Sequence, residues 1–329
     1  MSRRFGVVGA GGWGTAMACH LAKKGLDVAM WGHDGRYADE MHRLRSNPKY
    51  LPGVTFPESL LVSSDPVVLA KADVLLSGVP TRYVRDIFTA IAPALPKKSP
   101  VVSLTKGIEN ETLVRPTEIL REVAPGRLIA VLSGPSHAEE VVKGKPTVVT
   151  IAAGSAALAK RLQQEFTTEF FRCYTNSDVV GVELAGAVKN VIAIAAGIVD
   201  GLGLGDNTKA ALLTRGLAET VALGMAMGAR RRTFYGIAGI GDLMTTAFSP
   251  FGRNRAVGER LGKGESLEKI LGGMAMVAEG VASTRSVVAL AKRHEVEMPI
   301  CREVHRVLFE GKDPKKGLID LMTRRPKNE

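Results

Sequence analysis

The chain has 329 residues, of which 45% are hydrophobic, 23% charged and 5% aromatic, which excludes an intrinsically disordered or collagen-like polymer. Its length suits two domains, and its 36 glycines allow close backbone approach. A formal net charge of +11 favours an anionic partner such as a phosphate metabolite or nucleotide, whereas its spread along the chain argues against nucleic acid.

Taken in chain order, Arg3-Arg4 and the apolar residues after them imitate a secretion signal. Glycines interrupt that stretch, and a strand–turn–helix reading accounts for it better. Phe5-Gly6-Val7-Val8 reads as a buried strand, residues 15–24 as a helix ended by Gly25, and Asp27-Val28-Ala29-Met30-Trp31 as the next strand. Between them Gly9, Gly11 and Gly14 form a G-x-G-x-x-G turn. The first glycine allows the tight turn, the second lets backbone approach a pyrophosphate, and the third lets helix pack on sheet. The helix N-terminus adds N–H groups for the anion, so the chain is expected to open with a dinucleotide site.

The ribose-reading position follows the second strand, at Gly32-His33-Asp34 with Arg36 nearby. Asp34 suits a ribose diol or a simple turn cap, and His33 and Arg36 suit a 2′-phosphate. NAD and NADP both fit, with a lean to NADPH. Further strands are expected at residues 73–77, 100–104, 128–132, 147–151 and 170–174, with helices at 81–90, where Thr81 sits near the cap, and 155–166. Lys106 and Ser133-Gly134-Pro135-Ser136 follow strand ends, where open parallel sheets place ligands.

From about residue 178 strands become scarce. Long helices are expected over 179–199 and 207–227, with shorter ones at 267–272, 284–292 and 300–309. The domains are set at 1–180 and 181–329, one helix bridging them. The most apolar run, 191–199, stops at Asp200, short of the roughly 20 residues that span a bilayer, so no membrane insertion is expected. Gly236-Ile237-Ala238-Gly239-Ile240-Gly241 resembles a phosphate loop without a preceding strand. Arg230-Arg231-Arg232 and the tail Arg324-Arg325-Pro326-Lys327 read as solvated surface.

Lys189-Asn190 lies in an apolar helix, where a charge needs a reason. It is either a lysine snorkelling to solvent or a general acid/base. Glu183 shares a helical face with Asn190, and Asp206, Asn207, Thr208, Arg215 and Glu219 make a polar stripe in which Asp206 suits an N-cap. Asp242 follows the second glycine stretch, and Arg253-Asn254-Arg255 suits a phosphate monoester. Cys19, Cys173 and Cys301 show neither zinc spacing nor a disulfide ladder, which fits a reducing compartment. The six histidines form no short ligand motif, so no metal is expected, and no G-x-S-x-G elbow is present.

Together these residues resemble bacterial-type NAD(P)-dependent glycerol-3-phosphate dehydrogenases over nearly the whole chain. The resemblance is carried by Gly9 through Ala16, Asn47 with Tyr50-Leu51-Pro52-Gly53, Val79-Pro80 with Arg85, and Ser103 through Glu109. It continues through Leu132-Ser133-Gly134-Pro135-Ser136, Gly186-Ala187-Val188-Lys189-Asn190-Val191 and Asp200-Gly201-Leu202-Gly203-Leu204-Gly205. Ala211 through Glu219, Gly239-Ile240-Gly241-Asp242-Leu243, Arg253-Asn254 and Glu279-Gly280 complete the series.

The resemblance implies an α/β fold, a Rossmann-like N-terminal domain with a mainly α-helical C-terminal domain of the 6-phosphogluconate-dehydrogenase-like kind. It implies reversible NAD(P)H-dependent reduction of dihydroxyacetone phosphate to sn-glycerol 3-phosphate for the glycerophospholipid backbone, in a cytoplasmic homodimer. Lys189 matches the proton-transferring lysine. Lys106, Gly134, Ser136, Lys189, Asp242, Gly252, Arg253 and Asn254 match substrate-contacting positions. Gly9, Gly11, Gly12, Trp13, Gly14, His33, Lys106, Ala138, Arg253, Val277 and Glu279 match cofactor-contacting ones. Gly12 stands where many members have Ser, His33 where Arg is frequent, and Gly252 where Ser is frequent. The last change removes a hydroxyl donor and is expected to weaken substrate binding without abolishing catalysis, the backbone N–H and Arg253 remaining.

Overall fold

The structure, a computed structural model, describes residues 3–274 and 277–325. Pro326 and Lys327 of the basic tail lie outside the described residues. The chain divides into two compact units: Met1–Lys106 with Val114–Glu183, and Gly107–Leu113 with Leu184–Glu329.

The first unit is built on an eight-stranded sheet. In chain order it comprises β1 (Arg4–Val8), α1 (Gly12–Lys23), β2 (Asp27–Trp31), α2 (Gly35–Leu44), β3 (Ser46–Asn47), β4 (Leu51–Thr55), β5 (Leu60–Ser63) and β6 (Val74–Ser77). There follow α3 (Thr81–Ile91), β7 (Val101–Ser103), α4 (Pro116–Val123), β8 (Ile129–Ser133), α5 (Ala138–Val141), β9 (Thr147–Ala153), α6 (Ala156–Phe166) and β10 (Phe171–Asn176). The sheet order is β10-β9-β8-β7-β6-β1-β2-β5, and β3 and β4 form a separate pair. Strand order reverses beside β1, which pairs in parallel with both β2 and β6. Such a switch point opens a crevice at the carboxyl ends of the strands.

The central strands are apolar because the sheet is covered on both faces. Phe5 and Val7 join one buried cluster, and Val8 joins another with Leu75 and Phe88. One pairing departs from the parallel pattern: β8 and β9 run antiparallel. Only α5, a single turn of four residues, lies between them, too little for the helical crossover that a parallel pair needs. Thr81 is the first residue of α3, next to its cap Pro80.

The second unit is mainly helical. α7 (Val179–Gly201) crosses the division and continues as its longest helix. It is followed by α8 (Gly205–Ala226), α9 (Arg231–Phe234), α10 (Asp242–Phe248), α11 (Arg253–Gly262), α12 (Leu267–Gly272), α13 (Glu279–Arg293), α14 (Pro299–Phe309) and α15 (Pro314–Met322). α7 is longer than the apolar run expected. By length and composition it meets the criteria for a membrane span, yet its most apolar window is entirely buried within the protein. The glycine-rich segment expected to resemble a phosphate loop is instead a π-helical turn, Ile237–Gly241, leading into α10. Asp206 is not an N-cap: it is the second residue of α8, which starts at Gly205 after its cap Leu204.

Candidate functional site

In the first unit the glycine turn joins β1 to α1 at the switch point. Gly9 has φ +103°, a conformation that L side chains rarely adopt. A Cβ on Gly14 would fall 2.2 Å from the Gly9 carbonyl oxygen, whereas one on Gly11 would meet nothing within 4 Å. Gly14 therefore allows helix and turn to touch, and Gly11 borders open space. α1 begins at Gly12 with Gly11 as its cap, so first-turn N–H groups lack acceptors within the helix. Trp13 Nε1 is buried with no hydrogen-bond partner among the described residues. An open glycine, a helix N-terminus and an orphaned donor fit a pyrophosphate-bearing cofactor.

Gly12 has less room than Gly11, since a Cβ there would lie 2.8 Å from the Tyr50 carbonyl oxygen. The Gly12 departure thus matches a site where a serine would crowd backbone. After β2, His33 and Arg36 are exposed. Asp34 caps α2, its Oδ1 accepting from Tyr37 N at 3.1 Å, as the turn-cap alternative has it.

Lys106, Gly134 and Ser136 meet at one atom. Lys106 Nζ donates to the Gly134 carbonyl at 2.9 Å, and Ser136 Oγ donates to it at 2.8 Å. Gly134 has φ +141°, so the turn after β8 presents this carbonyl in a geometry that side chains disfavour. Ala138 opens α5 just beyond.

In the second unit Lys189 is 6% exposed, so it does not snorkel to solvent. Its Nζ donates to Asp242 Oδ1 at 2.5 Å and to Thr246 Oγ1 at 2.5 Å. Thr246 Oγ1 donates in turn to the Asp242 backbone carbonyl at 2.7 Å, which fixes that hydroxyl as acceptor toward the lysine. Asp242 is 1% exposed and supplies the countercharge that a buried ammonium requires. The π-helical turn sets Asp242 at the first position of α10. Sequence reasoning missed Thr246, whose only signal is its place four residues after Asp242, one helical turn on. Glu183 serves elsewhere, accepting from Arg115 Nη1, Thr117 N and Thr117 Oγ1 at 2.6, 2.8 and 2.6 Å.

Gly252 caps α11, and Arg253 and Asn254 are its first residues. The exposed Arg253 side chain donates to the Val277 carbonyl at 3.0 Å. Asn254 Oδ1 accepts from Gly280 N at 3.0 Å, which holds the start of α13 beside α11 and directs the amide NH₂ elsewhere. Glu279 is the first residue of α13. The Gly252 N–H donates to the Ser249 carbonyl at 3.1 Å. It is therefore committed to the turn, contrary to the expectation that it remains for substrate.

Arg255, grouped by sequence with Arg253 and Asn254, is engaged elsewhere. Its Nε donates to Asp200 Oδ2 at 2.7 Å, and Lys209 Nζ donates to both oxygens of Asp200 at 2.9 and 2.8 Å. The polar stripe on α8 also separates: Asp206 and Arg215 are exposed, while Glu219 is buried and accepts from Ile300 N and Cys301 N. The three cysteines are free and buried. Among the described residues no group of three or more His, Cys, Asp or Glu side chains is placed to hold a metal ion.

Comparison with known proteins gives one consistent result. Residues 4–159 match the family described as NAD-dependent glycerol-3-phosphate dehydrogenase N-terminus, and residues 178–318 match its C-terminus. A glycerol-3-phosphate dehydrogenase [NAD(P)+] of Citrifermentans bemidjiense is 49% identical over 100% of this chain and 99% of its own length. One from Salinibacter ruber is 50% identical over 100% of this chain and 97% of its own. The crystal structure of glycerol-3-phosphate dehydrogenase from Coxiella burnetii superposes with a TM-score of 0.95 at 37% identity, covering 98% of this chain and 99% of that one. The chain belongs to the NAD(P)-dependent glycerol-3-phosphate dehydrogenase family.

Proposed function

We propose that the chain catalyses the reversible NAD(P)H-dependent reduction of dihydroxyacetone phosphate to sn-glycerol 3-phosphate. The observation that carries this reading is the buried Lys189–Asp242–Thr246 cluster, in a chain that opens with a glycine turn fitted to a dinucleotide. When bound, the nicotinamide supplies hydride chemistry.

Lys189 as ammonium donates a hydrogen bond to the ketone oxygen and then its proton as negative charge develops there. In the reverse direction neutral Lys189 takes the hydroxyl proton. Asp242 and Thr246 fix the lysine's position and balance its charge. Arg253 and Asn254 hold the phosphate, a handle whose binding energy orients the carbonyl. Lys106 and Ser136, joined through the Gly134 carbonyl, complete the polar contacts to substrate, and Lys106 also serves the cofactor. Gly9, Gly11, Gly12, Trp13 and Gly14 receive the pyrophosphate end, with Ala138, Arg253, Val277 and Glu279 as further cofactor contacts.

NADPH is the favoured reductant. Support comes from Asp34, which is committed to capping α2, and from the exposed His33 and Arg36 beside it, which suit a 2′-phosphate. The reading extends to a cytoplasmic homodimer with no nucleic-acid partner and no membrane insertion. Its basis is the spread of basic residues and the resemblance, and sedimentation of the purified protein tests the dimer.

The deciding experiment follows absorbance at 340 nm after mixing protein with dihydroxyacetone phosphate and NADPH or NADH in parallel. Oxidation of either supports the reaction, and faster oxidation of NADPH supports the cofactor preference. No oxidation while both nucleotides bind would overturn the substrate.

A further inference from the structure

Asn47 is fully buried, and its amide uses all four hydrogen-bonding positions. Nδ2 donates to the Ala10 carbonyl at 2.9 Å and to Thr15 Oγ1 at 2.7 Å. Oδ1 accepts from Tyr37 Oη at 2.6 Å and from Tyr50 N at 3.1 Å. One side chain thus ties the glycine turn, α1, α2 and the segment before β4. The acceptors on one side and donors on the other fix which end of the amide is nitrogen.

The bond to Ala10 has a consequence for the next residue. The Ala10 carbonyl and the Gly11 N–H belong to one peptide plane, and the chain has no cis peptide among its described residues. In a trans peptide these two groups point in opposite directions. With the carbonyl held toward Asn47, the Gly11 N–H is aimed away from it. Gly11 itself borders open space. A peptide that rotated about its flanking bonds would instead present its carbonyl to an anion.

We propose that Asn47 is a positioning residue for the cofactor's pyrophosphate, locking the Ala10–Gly11 peptide so that its N–H is presented to the anion. The proposal rests on the dinucleotide-dependent reading above. Asn47 touches no phosphate itself. Tyr37 acts behind it, since its hydroxyl orients the amide. Tyr50 is anchored by the same Oδ1, and its carbonyl fills the space beside Gly12.

The test compares dissociation constants of NADH, NADPH and ADP-ribose, which carry the pyrophosphate, with that of adenosine, which does not. Asn47→Asp keeps Oδ1 and replaces the donor with an acceptor that repels the Ala10 carbonyl. It is expected to weaken the three pyrophosphate ligands about tenfold or more, with adenosine changed less than twofold and KM for dihydroxyacetone phosphate unchanged. Tyr37→Phe, which leaves Nδ2 in place, is expected to give a shift of about threefold with the same selectivity.

Equal weakening of adenosine and the dinucleotides, or unchanged dinucleotide affinity in the folded variant, would overturn the proposal. If Asn47→Asp fails to fold, Tyr37→Phe decides: absence of a pyrophosphate-selective shift overturns it. Failure of the wild-type protein to bind any of the nucleotides would instead overturn the dinucleotide reading on which it rests.

Discussion

Lys189 Nζ lies 2.5 Å from Asp242 Oδ1, and the two residues are 6% and 1% exposed. An ion pair this deep contributes little net stability, because desolvation offsets the Coulombic attraction. Its placement is therefore better understood through chemistry. Lys189→Ala is expected to lower kcat about a thousandfold or more, with nucleotide affinity unchanged. Near-wild-type turnover would sink the assignment of the lysine.

The pair also separates catalysis from folding. Asp242→Asn strands a buried ammonium and is expected to destabilise the fold by about 3 kcal/mol. Replacing both partners with apolar groups of similar size, Lys189→Met with Asp242→Leu, is expected to recover most of that loss while leaving turnover abolished. Urea denaturation beside turnover assays checks both halves. A double variant less stable than Asp242→Asn would show that the pair holds the helices together.

Arg253 presents a different balance. Its side chain is exposed and bonded to the Val277 carbonyl, so its removal leaves no buried charge. Arg253→Ala is expected to raise KM for dihydroxyacetone phosphate about tenfold to a hundredfold, the range of a lost charge-assisted phosphate contact. Thermal stability should stay within about 0.5 kcal/mol of the parent. An unchanged KM would remove Arg253 from the phosphate clamp.

The glycine turn was legible because its three glycines answer local demands: a positive φ at Gly9, open space at Gly11 and contact at Gly14. The second glycine stretch shows the limit of that logic. Gly239 is packed against the Phe234 backbone, where a Cβ would fall 2.1 Å from its carbonyl oxygen, so this glycine serves helix contact. Asn47 was visible only as part of a family motif. Its partners Ala10 and Thr15 lie 37 and 32 positions away, and no local pattern encodes such a network. Arg255 looked equivalent to Arg253 because the two are sequence neighbours. Helical residues two positions apart do not face the same way, and Arg255 turns to Asp200.

α7 and α11 meet backbone to backbone. A Cβ on Gly197 would fall 2.0 Å from the Arg255 carbonyl oxygen, and one on Gly258 would fall 1.9 Å from that of Ile194. Gly201 repeats the contact one turn along α7, at 2.2 Å from the Glu259 carbonyl oxygen. Because α7 carries Lys189 and α11 carries Arg253 and Asn254, this contact sets the spacing of the proposed acid/base and the proposed phosphate clamp. Gly258→Ala is expected to destabilise the second unit by about 3 kcal/mol, since backbone must move, and to lower kcat. Gly272→Ala, where a Cβ meets nothing within 4 Å, serves as the control and should stay within about 1 kcal/mol of the parent. Equal melting temperatures for the two variants would refute the close contact.

Glu219 gives the second unit a pH dependence of defined sign. Burial pushes its carboxyl up to about 7, only partly opposed by hydrogen bonds from Ile300 and Cys301 and by the Arg324 charge. The folded chain therefore holds this proton to higher pH than the unfolded chain, whose carboxyl titrates near the ordinary value of about 4.3. Its contribution to stability is full below that ordinary value and is lost as pH rises through about 7. Between pH 5 and pH 8 the loss amounts to about 2–3 kcal/mol. Glu219→Gln keeps an oxygen to accept from Ile300 N but cannot ionise. Its unfolding free energy is expected to fall less than the wild type's over the same interval, by about that amount. Urea titrations of both proteins at the two pH values measure the difference, and parallel pH profiles would show that the carboxyl is ionised throughout, its charge already met by the α14 N–H groups.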